Sequence, residues 1–184
     1  MTNLFKKAAF AAVVTGFAFA GQASAATSST QAQATGQATV KIYTPLILKA
    51  VTGSDTMDFG ILVGPASVRG TAASFPMGGT TASPVVTCAT GWSCSGTVKA
   101  AQFTVSGTPG AFVHVDVPTG PVNLTGSVSG TVNVTNFVTD LAAPTATQLG
   151  TTATAFGVAG TLNVPAGTAD GVYTGSFNVY ADYN

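Results

Sequence analysis

The chain contains no glutamate, and it has one histidine (His114), one arginine (Arg69) and one tryptophan (Trp92). Six Lys+Arg stand against six acids, and all six acids are aspartates: Asp55, Asp58, Asp116, Asp140, Asp170 and Asp182. Without clustered lysine or arginine there is no electrostatic footprint for nucleic acid, so nucleic-acid binding is excluded. His114 and Asp116 are spaced to share one face of a strand, and such a pair could orient a general base. No nucleophile or second acid accompanies them, so they read as surface strand residues and the chain does not read as an enzyme. Asp55 and Asp58 fall short of the roughly six to eight oxygens that Ca²⁺ takes. They read as turn and capping residues, and no metal or cofactor is expected. Segments of helical period are also missing beyond the first 25 residues.

Cysteine is scarce, with two residues in the stretch C-A-T-G-W-S-C, Cys88 and Cys94. In an exported chain an even pair this close predicts a disulfide, and Gly91 lets the short loop turn. Trp92 within that loop could stack on a sugar or pack over the disulfide. Asn123-Leu-Thr and Asn133-Val-Thr match glycosylation sequons. Chance explains both in a chain this rich in threonine.

What is present begins with an address. Lys6 and Lys7 precede an apolar run, Ala8 to Ala20, and Ala23-Ser24-Ala25 is a small-x-small cleavage site. The run is short for a membrane span, which takes about 20 apolar residues. Residues 1–25 therefore read as a cleaved signal peptide, and the protein as exported without stable membrane insertion. Losing Lys6 and Lys7 leaves four basic against six acidic residues, a net charge of −2. So little charge gives weak repulsion between copies and favours self-association.

The remaining 159 residues are rich in Thr, Val, Gly, Ala and Ser, the composition of short strands punctuated by turns. Residues 26–37 read as an extended or disordered arm, with Ala32, Ala34, Gly36 and Ala38 on one side of an alternation. Residues 38–184 read as one domain. Its first strand is expected at Ala38 to Val51, and Phe59, Ile61 and Val63 are expected on one apolar face. A short edge strand is expected at Ala66 to Thr71, and a loop over 72–84. Ala101 to Ser106 and Ala111 to Val117 are expected to pair as a hairpin about Gly107-Thr108-Pro109-Gly110. Short strands are expected at Val122 to Leu124 and Thr131 to Val138, and a long connection over 139–155. Phe156 to Val164 alternates again. The last stretch places Tyr173, Phe177, Val179, Ala181 and Tyr183 on the core face of a closing strand. Regularly spaced short strands predict an all-β antiparallel sandwich.

The stretches A-T-V-K-I-Y-T-P-L-I-L (38–48) with M-D-F-G-I-L-V-G (57–64), F-T-V-S-G-T-P-G-A-F (103–112) and G-T-L-N-V-P-A-G-T-A-D-G-V-Y-T-G-S-F-N-V-Y-A-D-Y-N (160–184) carry a resemblance. In them the chain resembles the bacterial exported family called domain of unknown function four-four-zero-two. Cys88 and Cys94 depart from that family's pattern. The ending, P-A-G followed by an alternating strand with near-terminal Tyr183, is also similar to spore-coat-U-like subunits of archaic chaperone–usher pili. That resemblance implies an immunoglobulin-like Greek-key sandwich, a periplasmic chaperone and usher, and assembly by donor-strand exchange in the periplasm, at the cell surface or in a fimbrium. The arm at Gln31 to Gln37 would be the donor, and a groove beside the final strand the acceptor. Its alanines are small anchors, and burying a methyl rather than a leucine forfeits about 1–2 kcal/mol per site. The alternative function is a monomeric exported binding module that recognises carbohydrate or a surface through loops near Trp92.

Overall fold

The computed structural model describes residues 33–66, 69–80 and 83–184. The signal peptide expected at residues 1–25, the lead after it, and Gln31 and Ala32 lie outside the described residues. The chain divides into two compact units, Met1–Val40 and Lys41–Asn184. Residues 33–40 of the first form no strand and are exposed. The second is all-β. Among the described residues there is no helix, and so none long and apolar enough to cross a membrane.

Thirteen strands are found among the described residues, in chain order β1 (Ile47–Ala50), β2 (Ile61–Val63), β3 (Ala73–Thr80), β4 (Ser83–Val86), β5 (Ser93–Ser95), β6 (Ala101–Ser106), β7 (Phe112–Asp116), β8 (Val122–Gly126), β9 (Thr131–Thr139), β10 (Thr147–Gln148), β11 (Thr154–Val164), β12 (Tyr173–Thr174) and β13 (Tyr180–Tyr183). Each ladder is antiparallel. The largest sheet has eight strands and runs β1-β6-β11-β9-β8-β12, with β3 on β11 and β4 on β3. A three-stranded sheet runs β10-β7-β13, and β2 pairs with β5.

β11 is the spine of the large sheet. Phe156, Val158, Gly160, Leu162 and Val164 are buried at alternate positions, as a strand with one inward face requires. On one side β11 pairs first with β6 and then with β3; on the other it pairs with β9. Between Ala159 and Thr161 the β9 register shifts by one residue, and Asn136 on β9 is left-handed (φ 50°). This bulge explains why Val134 and Phe137, three residues apart, are both buried, although Thr131 to Val138 reads as plain alternation.

Several expectations are corrected. The first strand begins at Ile47 rather than Ala38, and residues 33–46 join no ladder. The segment 72–84, read as loop because it is rich in Gly, Ala, Ser and Thr, instead carries β3, whose Phe75 and Met77 are buried beside β11. Ala66 to Thr71 forms no strand where it is described. β6 and β7 make no hairpin. β6 pairs with β1 and β11, while β7 pairs with β10 and β13, so the turn at Thr108 to Gly110 carries the chain from one sheet to another. The connection 139–155 is pinned midway. Leu149 is buried, its N–H donates to Ala111 O (2.9 Å), and its carbonyl accepts from Gly110 N–H (2.8 Å).

The closing stretch also splits. β12 lies at the edge of the large sheet on β8, and β13 pairs with β7 in the other sheet. Residues 175–179 bridge the two, and Phe177 enters the core beside Phe103 and Phe137, at ring-centroid distances of 6.2 and 5.3 Å. Tyr173, Phe177, Val179, Ala181 and Tyr183 all pack on the core, supplied jointly by the large sheet and β7.

Cys88 and Cys94 form the disulfide that the sequence predicts, and Gly91 turns the loop with φ 81°. Closing so short a loop restricts the unfolded chain modestly. The double variant Cys88→Ser/Cys94→Ser is expected to lose about 2 kcal/mol in urea unfolding while keeping the β circular dichroism spectrum.

Candidate functional site

The site is built around the run Met57 to Gly64. Gly60 has φ 75°, and a Cβ there would lie 2.5 Å from the carbonyl oxygen of Ser95. Only glycine fits this turn of the backbone. The Asp58 carboxylate accepts a hydrogen bond from Gly60 N–H at 2.8 Å, and Asp58 bridges to Lys99 by two backbone hydrogen bonds. The reversal at Gly60 flips the alternation. Phe59 is buried, but Ile61 and Val63 are 60% and 55% exposed, and Leu62 packs on the core opposite Cys94. This corrects the expectation that Phe59, Ile61 and Val63 share one apolar face.

β2 pairs with β5 on one side and has no ladder partner on its other edge among the described residues. β12 is likewise the last strand of the large sheet. A cleft of about 660 Å³ is lined by β2 and, from β12, by Tyr173. Leu124, Val132, Leu162 and Val164 form its sheet-side floor. Phe59, Leu62 and Trp92 line it from the β2–β5 side. Thr168 to Gly171 lines it too, and there Arg69 bridges Asp170 at 2.5 Å and donates to Thr168 O at 3.0 Å. With Asp58, that gives the lining two carboxylates and one cation.

An apolar floor between two strand edges holds extended chain well: the edges offer main-chain donors and acceptors, and the floor takes alternate side chains. Among the described residues no group of three His, Cys, Asp or Glu is placed to hold a metal ion.

The residues singled out in the sequence fall in different places. Trp92 lines the cleft, but its ring packs edge-on against Phe75 (5.1 Å between centroids) and across Gly64, where a Cβ would meet ring atoms at 2.8 Å. His114 Nε2 and Asp116 Oδ1 are 2.7 Å apart on β7, away from the cleft. Tyr183 lies elsewhere as well. Its hydroxyl accepts from Thr108 N–H (2.8 Å) and donates to Thr44 O (2.9 Å), and its ring lies 4.7 Å from that of Tyr43. Ala34, Gly36 and Ala38 are exposed. Two residues missed as arm positions continue their alternation: Val40 is 80% and Ile42 85% exposed. Their pattern alone places them in the first strand. Nothing in the alternation marks the cleft except the glycine inside the run M-D-F-G-I-L-V.

No curated protein and no solved structure matches the chain. A family model described as "Domain of unknown function (DUF4402)" matches residues 49–183, from within β1 to the end of β13. The whole cleft lies inside that span and the alternating arm lies before it, and the chain belongs to the DUF4402 family.

Proposed function

We propose that the protein is an exported structural subunit that assembles with copies of itself through its N-terminal arm, its domain being an immunoglobulin-like β-sandwich short of one strand. The observation that carries this reading is the arm. Ala34, Gly36, Ala38, Val40 and Ile42 alternate over a segment that joins no ladder, and the two largest are almost wholly exposed. Isolated exposed apolar residues are ordinary, but a periodic set on an unpaired strand-like segment is a face lacking its partner. Val40 and Ile42 also answer the weakness of an all-alanine anchor set, since burying a valine or isoleucine contributes about 1.5–3 kcal/mol. The low charge of the chain offers little resistance to association. A periplasmic chaperone that covers the open edges and an usher that orders assembly suit such a subunit, because bare strand edges pair indiscriminately.

The test is deletion of residues 26–42 in cells carrying the native export machinery. The intact chain is expected to give a ladder of detergent-resistant multimers in the surface fraction, and the deletion a folded monomer only. An intact protein that stays monomeric at the surface, or a deleted one that still yields the ladder, overturns the proposal.

A further inference from the structure

We propose that the outer face of the sheet β10-β7-β13 binds a neutral oligosaccharide chain, with Phe112 and Tyr180 stacked on its sugar rings and Asp116 and Asp182 accepting from its hydroxyls. The site is independent of the assembly reading above, since it uses neither the arm nor the cleft.

Alternation sorts the residues of this sheet. Val113 and Val115 of β7 are buried, so Phe112, His114 and Asp116 face outward. On β13, Ala181 and Tyr183 pack on the core, and Tyr180 and Asp182 face outward. The register then sets the layout of the face. Asp182 lies directly opposite His114, and Tyr180 directly opposite Asp116. Phe112 lies between Gln148, its partner on β10, and Asn184, whose N–H donates to Phe112 O at 3.0 Å. Four residues along β7 and one strand spacing separate the two aromatic positions, about 14 Å. His114 and Asp182 occupy the middle.

Aromatic residues on a sheet surface gain most when they pair across strands. Phe112 and Tyr180 instead lie opposite polar residues, and they are 47% and 60% exposed. A flat apolar ring suits the C–H face of a sugar, whose edge hydroxyls then need polar partners close by. Those partners are held ready. His114 Nε2 lies 2.7 Å from Asp116 Oδ1, which fixes the carboxylate and leaves its second oxygen for a ligand hydroxyl. The amides beside Phe112 are anchored too: Gln148 donates to Gly110 O (3.4 Å) and Asn184 to Thr145 O (2.8 Å). Groups already fixed lose little freedom on binding. Trp92, the sugar contact suggested by the sequence, has its ring packed on Phe75 and across Gly64.

Charge selects the class of ligand. β7, β10 and β13 carry no lysine or arginine, while Asp116 and Asp182 both face outward. An anionic polysaccharide would be repelled. A neutral sugar needs no counter-charge, and its hydroxyls find in the carboxylates stronger acceptors than neutral groups supply.

The experiment presents the full exported chain to an array of neutral glucose, galactose, mannose and N-acetylglucosamine oligomers, with uronic-acid and glucosamine oligomers as the charged comparison. Binding to a neutral oligomer longer than a disaccharide is expected, with none to the uronic acids. Phe112→Ala and Tyr180→Ala are each expected to weaken it about tenfold, and Asp182→Asn about fivefold. Tyr180→Phe keeps the ring and is expected to bind nearly as the parent does. Should an alanine variant fail to fold, titration of the parent followed by NMR replaces it, with shifts expected at residues 112–116 and 180–184. No binding to any neutral oligomer, binding unchanged in both alanine variants, or shifts confined to other residues would overturn the proposal. Binding only to glucosamine oligomers, abolished by salt, would overturn it as simple ion exchange. Loss of the multimer ladder in Phe112→Ala or Tyr180→Ala with glycan binding intact would overturn it in favour of contact between copies.

Discussion

Phe75→Ala is expected to cost about 3–5 kcal/mol of folding free energy, the range for emptying a well-packed aromatic site. Phe75 is fully buried in β3, paired opposite Leu162 of β11, and its ring meets the edge of Trp92. Its neighbours are held by two ladders, β3 with β11 and β3 with β4, so they cannot collapse into the space the ring leaves. In urea, where slopes are about 1–3 kcal/mol/M, the midpoint should fall by at least 1 M or so with an unchanged slope. A loss below about 1 kcal/mol would show that β3 lies outside the core, as its composition suggests.

Gly60→Ala is expected to cost about 3 kcal/mol, far more than a glycine-to-alanine exchange usually does. Two effects add. A left-handed conformation costs a non-glycine residue about 1–2 kcal/mol. The new Cβ would also sit 2.5 Å from Ser95 O, a backbone atom fixed by the β2–β5 ladder, and such overpacking costs about 1–3 kcal/mol. Gly53→Ala separates the two. Gly53 has nearly the same φ, 79°, but nothing lies within 4 Å of its Cβ position, so it should cost the conformational part alone, about 1 kcal/mol. Equal losses for the two variants in parallel urea titrations would remove the close approach to Ser95 as a cause.

The candidate site shows what residue patterns carry and where they stop. Alternation made Phe156 to Val164 legible, and the inward set of the closing stretch but not its break between two sheets, because the alternation of side chains is a local, period-two property. The same rule failed at Met57 to Gly64 and at Thr131 to Val138. A left-handed residue, Gly60 in one and Asn136 in the other, changes which face the following residues share. It failed again at Ala38 to Tyr43. There the pattern of a strand is intact, but the described chain supplies no neighbour to pair with. A periodic segment without a partner looks the same in sequence as one with a partner.

From its residues alone this chain is an all-β protein whose short apolar alternations are cut by glycine and proline, with a disulfide closing the loop around Gly91. Those properties are local, since side chains in an extended chain alternate whatever lies alongside and a six-residue cysteine spacing needs no distant help. Only the tertiary structure decided that β6 and β7 part into different sheets, that β3 joins the core, and that β2 and β12 contribute to one cleft over an apolar floor. Main-chain hydrogen bonds join strands without regard to side-chain identity. Which strand lies beside which is therefore settled by how all the apolar faces pack together, and a linear pattern does not contain that information.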